Sequence, residues 1–129
     1  MRIGELAAAA GTTTKTLRFY EDSGLLPQTE RAANGYRDYG PEVLSRLDFI
    51  RRGRAAGLTL AQIREVIDIR DAGEAPCHHV YQLLSERLGD IDRQIADLDA
   101  LRGALIQRRD QAGTADPSTC PADTVCQYV

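Results

Sequence analysis

Leu84, Ile91, Leu98 and Leu105 recur every seven residues, and Leu88 and Ile95 fill the second seam position between them. That spacing constrains the chain more than any other feature, because it is the heptad signature of a coiled coil. Arg102 interrupts the last seam slot. The pattern predicts one helix from about residue 77 to residue 110, too long and too narrowly striped for the core of a globular domain. A lone helix cannot bury such a stripe, so a second copy of the chain is expected to cover it. The alternative is a helix folded back on its own N-terminal half.

The remaining length, out of 129 residues, allows one small domain with an extension. Ile3, Leu6, Ala7 and Ala10 lie at helical spacing, and Gly11 stops that helix. Thr12 or Thr13 can cap a second short helix through TLRFYED. Two short helices about a tight turn read as a helix-turn-helix. The segment NGYRDYG, residues 34–40, carries an Asn-Gly hairpin or wing signal. Pro41 opens a third helix with Val43, Leu47 and Ile50 inward. A fourth starts at Thr59 and Gln62, which have capping-box spacing, and ends at Gly73. The fold class expected is therefore mostly α: a winged helix-turn-helix, a long coiled-coil dimerisation helix and a short C-terminal loop. The divisions are 1–75, 76–111 and 112–129.

Charge separates the two ends. Residues 1–60 hold nine Lys/Arg against seven Asp/Glu, whereas residues 61–129 hold seven against twelve. The basic residues of the first half fall where a nucleic-acid reader needs them. Lys15 and Arg18 share one face of the second helix, Thr13 and Thr14 offer hydroxyls at its start, and Leu17 anchors its back. Tyr36 and Arg37 on the wing suit backbone phosphates, and Arg51, Arg52 and Arg54 cluster at the end of the third helix. Singly, each is an ordinary surface charge; together within sixty residues they point to double-stranded DNA. Four of the seven aromatic residues, Phe19, Tyr20, Tyr36 and Tyr39, lie in the same span, with Phe19 expected in the core. No apolar run is long enough to cross a bilayer and the first residues lack a signal-peptide core, so a cytoplasmic protein without membrane partners is expected. A catalytic Cys–His pairing lacks an oxyanion element or a second domain to form a cleft, so no enzyme is expected.

IGELAAAAGTTTKTLRFYEDSGLLPQTERAANGYRDYG, and within it TLRFYEDSGLL and NGYRDY, resembles the N-terminal winged helix-turn-helix of the MerR family of transcription regulators. The order of the later helices extends the resemblance to about residue 110. It implies DNA contacts at the matching positions Lys15, Arg18, Tyr20, Tyr36, Arg37 and Arg54. It also implies a homodimer through an antiparallel coiled coil, acting on promoter DNA beside RNA polymerase. In that family the effector-bound dimer bends and untwists a promoter whose two polymerase elements are too far apart. Such distortion is indirect readout, with the deformation cost offset by contacts at the half-sites.

The effector is sought in EAPCHHVYQ, where Cys77 stands beside the only two histidines, His78 and His79. By resemblance, the family's drug sensors append a larger C-terminal domain and its iron–sulfur sensors carry four clustered cysteines; this chain has neither. Cys77 matches the position where zinc, cadmium, lead and mercury sensors of the family carry cysteine and where copper-type sensors carry serine. Thiolate donors suit such soft divalent ions. The family's loop cysteine pair is only partly matched. Cys120-Pro121 resembles its second member, RDQAGTAD lacks the first, and Cys126 follows six residues later. Either Cys120 and Cys126 form the pair, completed by Cys77 of the other chain, or Cys120 acts alone and an imidazole fills in. His79 is placed ahead of His78 for that role, against the plainer reading of a solvated or merely orienting histidine. A thiol or electrophile sensor using Cys77 without metal is the alternative.

Overall fold

A computed structural model describes residues 1–27 and 38–129. The wing expected over residues 34–40 therefore lies largely outside the described residues, and with it Tyr36 and Arg37. Among the described residues there are five α-helices: α1 (Ile3–Ala10), α2 (Thr14–Asp22), α3 (Pro41–Ala55), α4 (Leu60–Asp71) and α5 (Cys77–Thr114). A 3₁₀ turn follows at Pro117–Thr119.

Local chemistry sets the boundaries. Gly11 ends α1 in the left-handed region at φ 67°, and its N–H is donated back to the Ala8 carbonyl at 3.3 Å. Thr13 caps α2, its Oγ1 accepting from the Thr16 N–H at 3.2 Å. Pro41 occupies the first turn of α3, where its missing N–H costs nothing. At α4 the capping box closes: Thr59 Oγ1 accepts from the Gln62 N–H at 3.1 Å, and Gln62 Oε1 accepts from the Thr59 N–H at 2.9 Å. Helix α5 runs to Thr114, past the end near residue 110 expected from the heptads. Nothing between those positions breaks it before Asp116 and Pro117, where the proline disfavours helical backbone in the residue before it.

The chain divides into two compact units, Met1–Arg87 and Leu88–Val129. In the first, α1 packs on α2 and on α3, and α3 packs on α4. Leu6, Leu17, Leu25, Ile50 and Ile63 are its fully buried side chains. Gly53 lets α3 approach α4, since a Cβ there would meet Ile63 Cδ1 at 2.9 Å. Arg46 adds a two-pronged bond to Asp71 at 2.6 and 3.2 Å.

Phe19 corrects the sequence expectation. It is 53% exposed, and Tyr20 packs partly against the core instead. Leu17 sets the inward direction of α2; Tyr20 and Glu21 return to that face after about one turn, whereas Phe19 lies about 200° away from Leu17.

The second unit contains the remainder of α5 and the tail. Its seam is open to solvent, Leu88 at 60% and Leu98 at 65% exposure. Leu98, Leu101, Leu105 and Ile106 form an apolar surface flanked by Arg102 and Arg109.

Candidate functional site

The helix-turn-helix orients its basic residues through its core. Leu17 is wholly buried, which turns Lys15 and Arg18 to the exposed side of α2. Among the described residues neither cation has an ion-pair partner, so both are available to phosphate or base edges. Arg51 and Arg52 are not in that state: both bond to Asp48, at 2.8 and 3.0 Å. The Arg51 hydrogen bond, before the charges of Arg51 and Arg52, holds the Asp48 carboxyl below the usual carboxylate range. Thr13 spends its hydroxyl oxygen on the α2 cap and lies 3.0 Å from Thr16 Oγ1. Arg54 is exposed, with Nη1 donating to the Leu58 carbonyl at 3.2 Å. Tyr20 is half-buried, its ring centroid 6.1 Å from that of Phe19.

A buried pair supports this surface and was missed from the sequence. Glu21, in the last turn of α2, is 4% exposed and accepts a short hydrogen bond from the Tyr39 hydroxyl. Tyr39 N–H in turn donates to the Met1 carbonyl at 2.7 Å. The end of α2, the start of the chain and the approach to α3 are thereby joined. One sequence signal was available: Glu21 lies four residues after Leu17, on the same helical face, so a carboxylate had to enter the core and needed a donor there.

The candidate effector residues occupy two places. Cys77 is the first residue of α5, and Cys77 and His78 are both exposed. His79 is half-buried, with Nε2 2.9 Å from Glu65 Oε2 of α4. It points about 200° around the helix from Cys77, whereas His78 is about 100° away. In the tail, Asp116 accepts from the Ser118 N–H at 2.9 Å and from the Ser118 hydroxyl at 2.8 Å. Those bonds, the backbone one first, keep the Asp116 carboxyl below its usual range. Cys120 follows the resulting 3₁₀ turn, and Cys126 lies beyond it. All three thiols are free and exposed. Among the described residues, no three His, Cys, Asp or Glu side chains of the single chain are grouped to hold a metal ion. Thiolates of this kind suit a soft cation in their chemistry. Among the described residues no helix is long and apolar enough to cross a membrane.

Comparison with known proteins matches this arrangement. Residues 1–68 match the family described as MerR HTH family regulatory protein, and residues 44–108 that described as MerR, DNA binding. The mercuric resistance operon regulatory protein of Bacillus cereus is 36% identical over 121 residues, covering 93% of this chain and 92% of that protein. The HTH-type transcriptional regulator ZntR of Escherichia coli (strain K12) is 37% identical over 119 residues, covering 91% and 84%. The crystal structure of the transcription regulator PbrR691 from Ralstonia metallidurans CH34 in complex with lead(II) superposes with a TM-score of 0.74. It is 37% identical and covers 97% of this chain and 91% of that one. On these matches across both the helix-turn-helix and the long helix, the chain belongs to the MerR family of DNA-binding transcription regulators.

Proposed function

We propose that this regulator is a cytoplasmic, metal-responsive homodimer that activates transcription from metal-resistance promoters, its effector a divalent thiophilic ion of the zinc, cadmium, lead and mercury class. The observation that carries the reading is the set of free, exposed thiols, with Cys77 at the head of α5. Soft thiolates select such ions over hard cations. One relative's name specifies mercuric resistance, and one neighbour is a lead(II) complex, which supports this class without choosing within it.

In this reading residues 1–75 bind DNA, 76–111 dimerise through the open seam and 112–129 hold the effector. Lys15 and Arg18 contact the operator from α2, Arg54 from the end of α3, and Thr13, Tyr20, Tyr36 and Arg37 complete the surface. Cys120 and Cys126 of one chain, with Cys77 of the other, supply the thiolates. Of the imidazoles, His79 has to leave Glu65 to join Cys77 on one ion. His78, exposed and closer to Cys77 around the helix, is the better-placed fourth donor. Closing the tail of one chain onto the α5 head of its partner biases two arrangements of the DNA-binding lobes. The favoured arrangement distorts the promoter so that RNA polymerase engages both of its elements.

The test is an anaerobic titration of reduced protein with zinc, cadmium and mercury against a competing chelator, read by thiolate-to-metal charge transfer. Stoichiometric binding that Cys77→Ser weakens, with apo DNA binding kept, is the expected result. Exposure of the same thiols favours one rival, a thiol or electrophile sensor reacting at Cys77. Lack of competitive metal binding, together with DNA binding that changes on alkylation of Cys77, would select that rival.

A further inference from the structure

Helix α3 ends at Ala55, and the chain turns through Ala56, Gly57 and Leu58 before α4. Two arginines from different elements grip that turn. Arg54 Nη1 donates to the Leu58 carbonyl at 3.2 Å, and Arg87 Nε of α5 donates to the Ala56 carbonyl, also at 3.2 Å. Ala56 is the C-cap of α3, so its carbonyl lies at the negative end of the helix dipole, among the acceptors a helix leaves unpaired. A guanidinium there is both donor and favourable charge.

The seat is shaped for it. Gly57 has φ 88°, and a Cβ on it would lie 2.8 Å from Arg87 Cζ. Glycine is needed there for the left-handed backbone, and the Arg87 guanidinium occupies the space beside it that a Cβ would enter. Arg87 also continues an inward face: Val80 and Leu83 pack on the core, and Arg87 follows Leu83 after about one turn. It is the last residue of the first compact unit, and α5 continues from it to Thr114.

We propose that Arg87 is the positioning residue that registers the first turns of α5, Cys77 among them, against the turn beside Arg54. The inference rests on the function proposed above. A shift imposed at Cys77 then reaches the DNA-contacting end of α3 through a bonded, close-packed seat. Without the guanidinium, α5 slides locally on its apolar face and the shift is not transmitted. The coupling belongs to a physical contact whose two arrangements both sites can bias, not to proximity alone.

The experiment uses the full chain, cadmium(II) as the metal probe, and a duplex selected from random-sequence DNA by the cadmium-loaded wild-type protein. Cadmium affinity is measured by chelator competition with and without the duplex. The ratio is the coupling factor, expected at about 5- to 150-fold for the wild type. Arg87→Met keeps an unbranched stem and removes the guanidinium. Its ratio should fall to within about twofold of unity, with cadmium affinity of the free protein and duplex affinity of the apo protein each within about twofold of wild type. Arg87→Lys, which keeps the charge but not the fork, should give an intermediate ratio. A merely structural role would lower thermal stability and both affinities and leave the ratio alone. A wild-type ratio in Arg87→Met, or in Arg87→Lys if the methionine variant does not fold, overturns the proposal while the regulator reading stands. If wild-type protein shows no Cys77-dependent cadmium binding, the effector reading fails first and the coupling role with it.

Discussion

Leu98→Ala should dissociate the proposed dimer while leaving the DNA-binding unit standing. Leu98 is 65% exposed in the single chain, so its side chain contributes little to the fold of one protomer. In a dimer sealed along the heptad seam that exposed area is buried. Full burial of a leucine stabilises by roughly 1.5–3 kcal/mol, so the exposed share is worth about 1–2 kcal/mol per chain. A symmetric dimer forfeits it twice, about 2–4 kcal/mol, which raises the dissociation constant by about 30- to 700-fold. Sedimentation equilibrium over a range of protein concentrations measures that constant directly. Asp99→Ala, exposed on α5 outside the seam, serves as the control and should leave it unchanged. The melting of residues 1–87 should be the same in all three proteins at concentrations where each is monomeric. If Leu98→Ala dimerises as tightly as the wild type, the heptad stripe is not the dimer interface.

Lys15→Ala and Arg18→Ala should each weaken binding to DNA of any sequence and lower the salt dependence, by about 0.9 in the log–log slope for each phosphate left unneutralised. Measuring Kd across a salt series checks both. Leu17→Ala, which empties a wholly buried site, should destabilise the first unit by about 2–5 kcal/mol in urea denaturation, whereas Phe19→Ala, largely exposed, should cost far less. A larger destabilisation from Phe19→Ala would reverse the assignment of the inner face of α2. The Asp48 carboxyl, held low first by its Arg51 hydrogen bond, contributes stability that is present above the ordinary aspartate value of about 3.9 and is lost only as pH falls through its lower folded value. Carboxyl NMR should therefore show Asp48 titrating below that value, and an ordinary midpoint would mean the pair does not persist in solution.

Much of this molecule was legible locally. Gly11, Thr13, Pro41, the Thr59–Gln62 box and Gly73 each act on backbone groups within a few residues, so helix starts and stops could be read without knowing what the helices pack against. The open stripe on α5 was legible for the same reason, since a seven-residue repeat on a helix fixes one face whatever lies opposite. The sequence alone thus determined the helices, their order and the apolar stripe along α5. Tertiary packing decided the rest. It turned Phe19 outward and Tyr20 inward, because only the depth of Leu17 says which face of a short helix is buried. It brought the Tyr39 hydroxyl to Glu21, His79 to Glu65 across 14 residues, and Arg87 to Ala56 across 31. Such pairings depend on where separate elements end in space. No periodicity or capping signal encodes that position, because the free energy that selects it comes from burying the whole core at once.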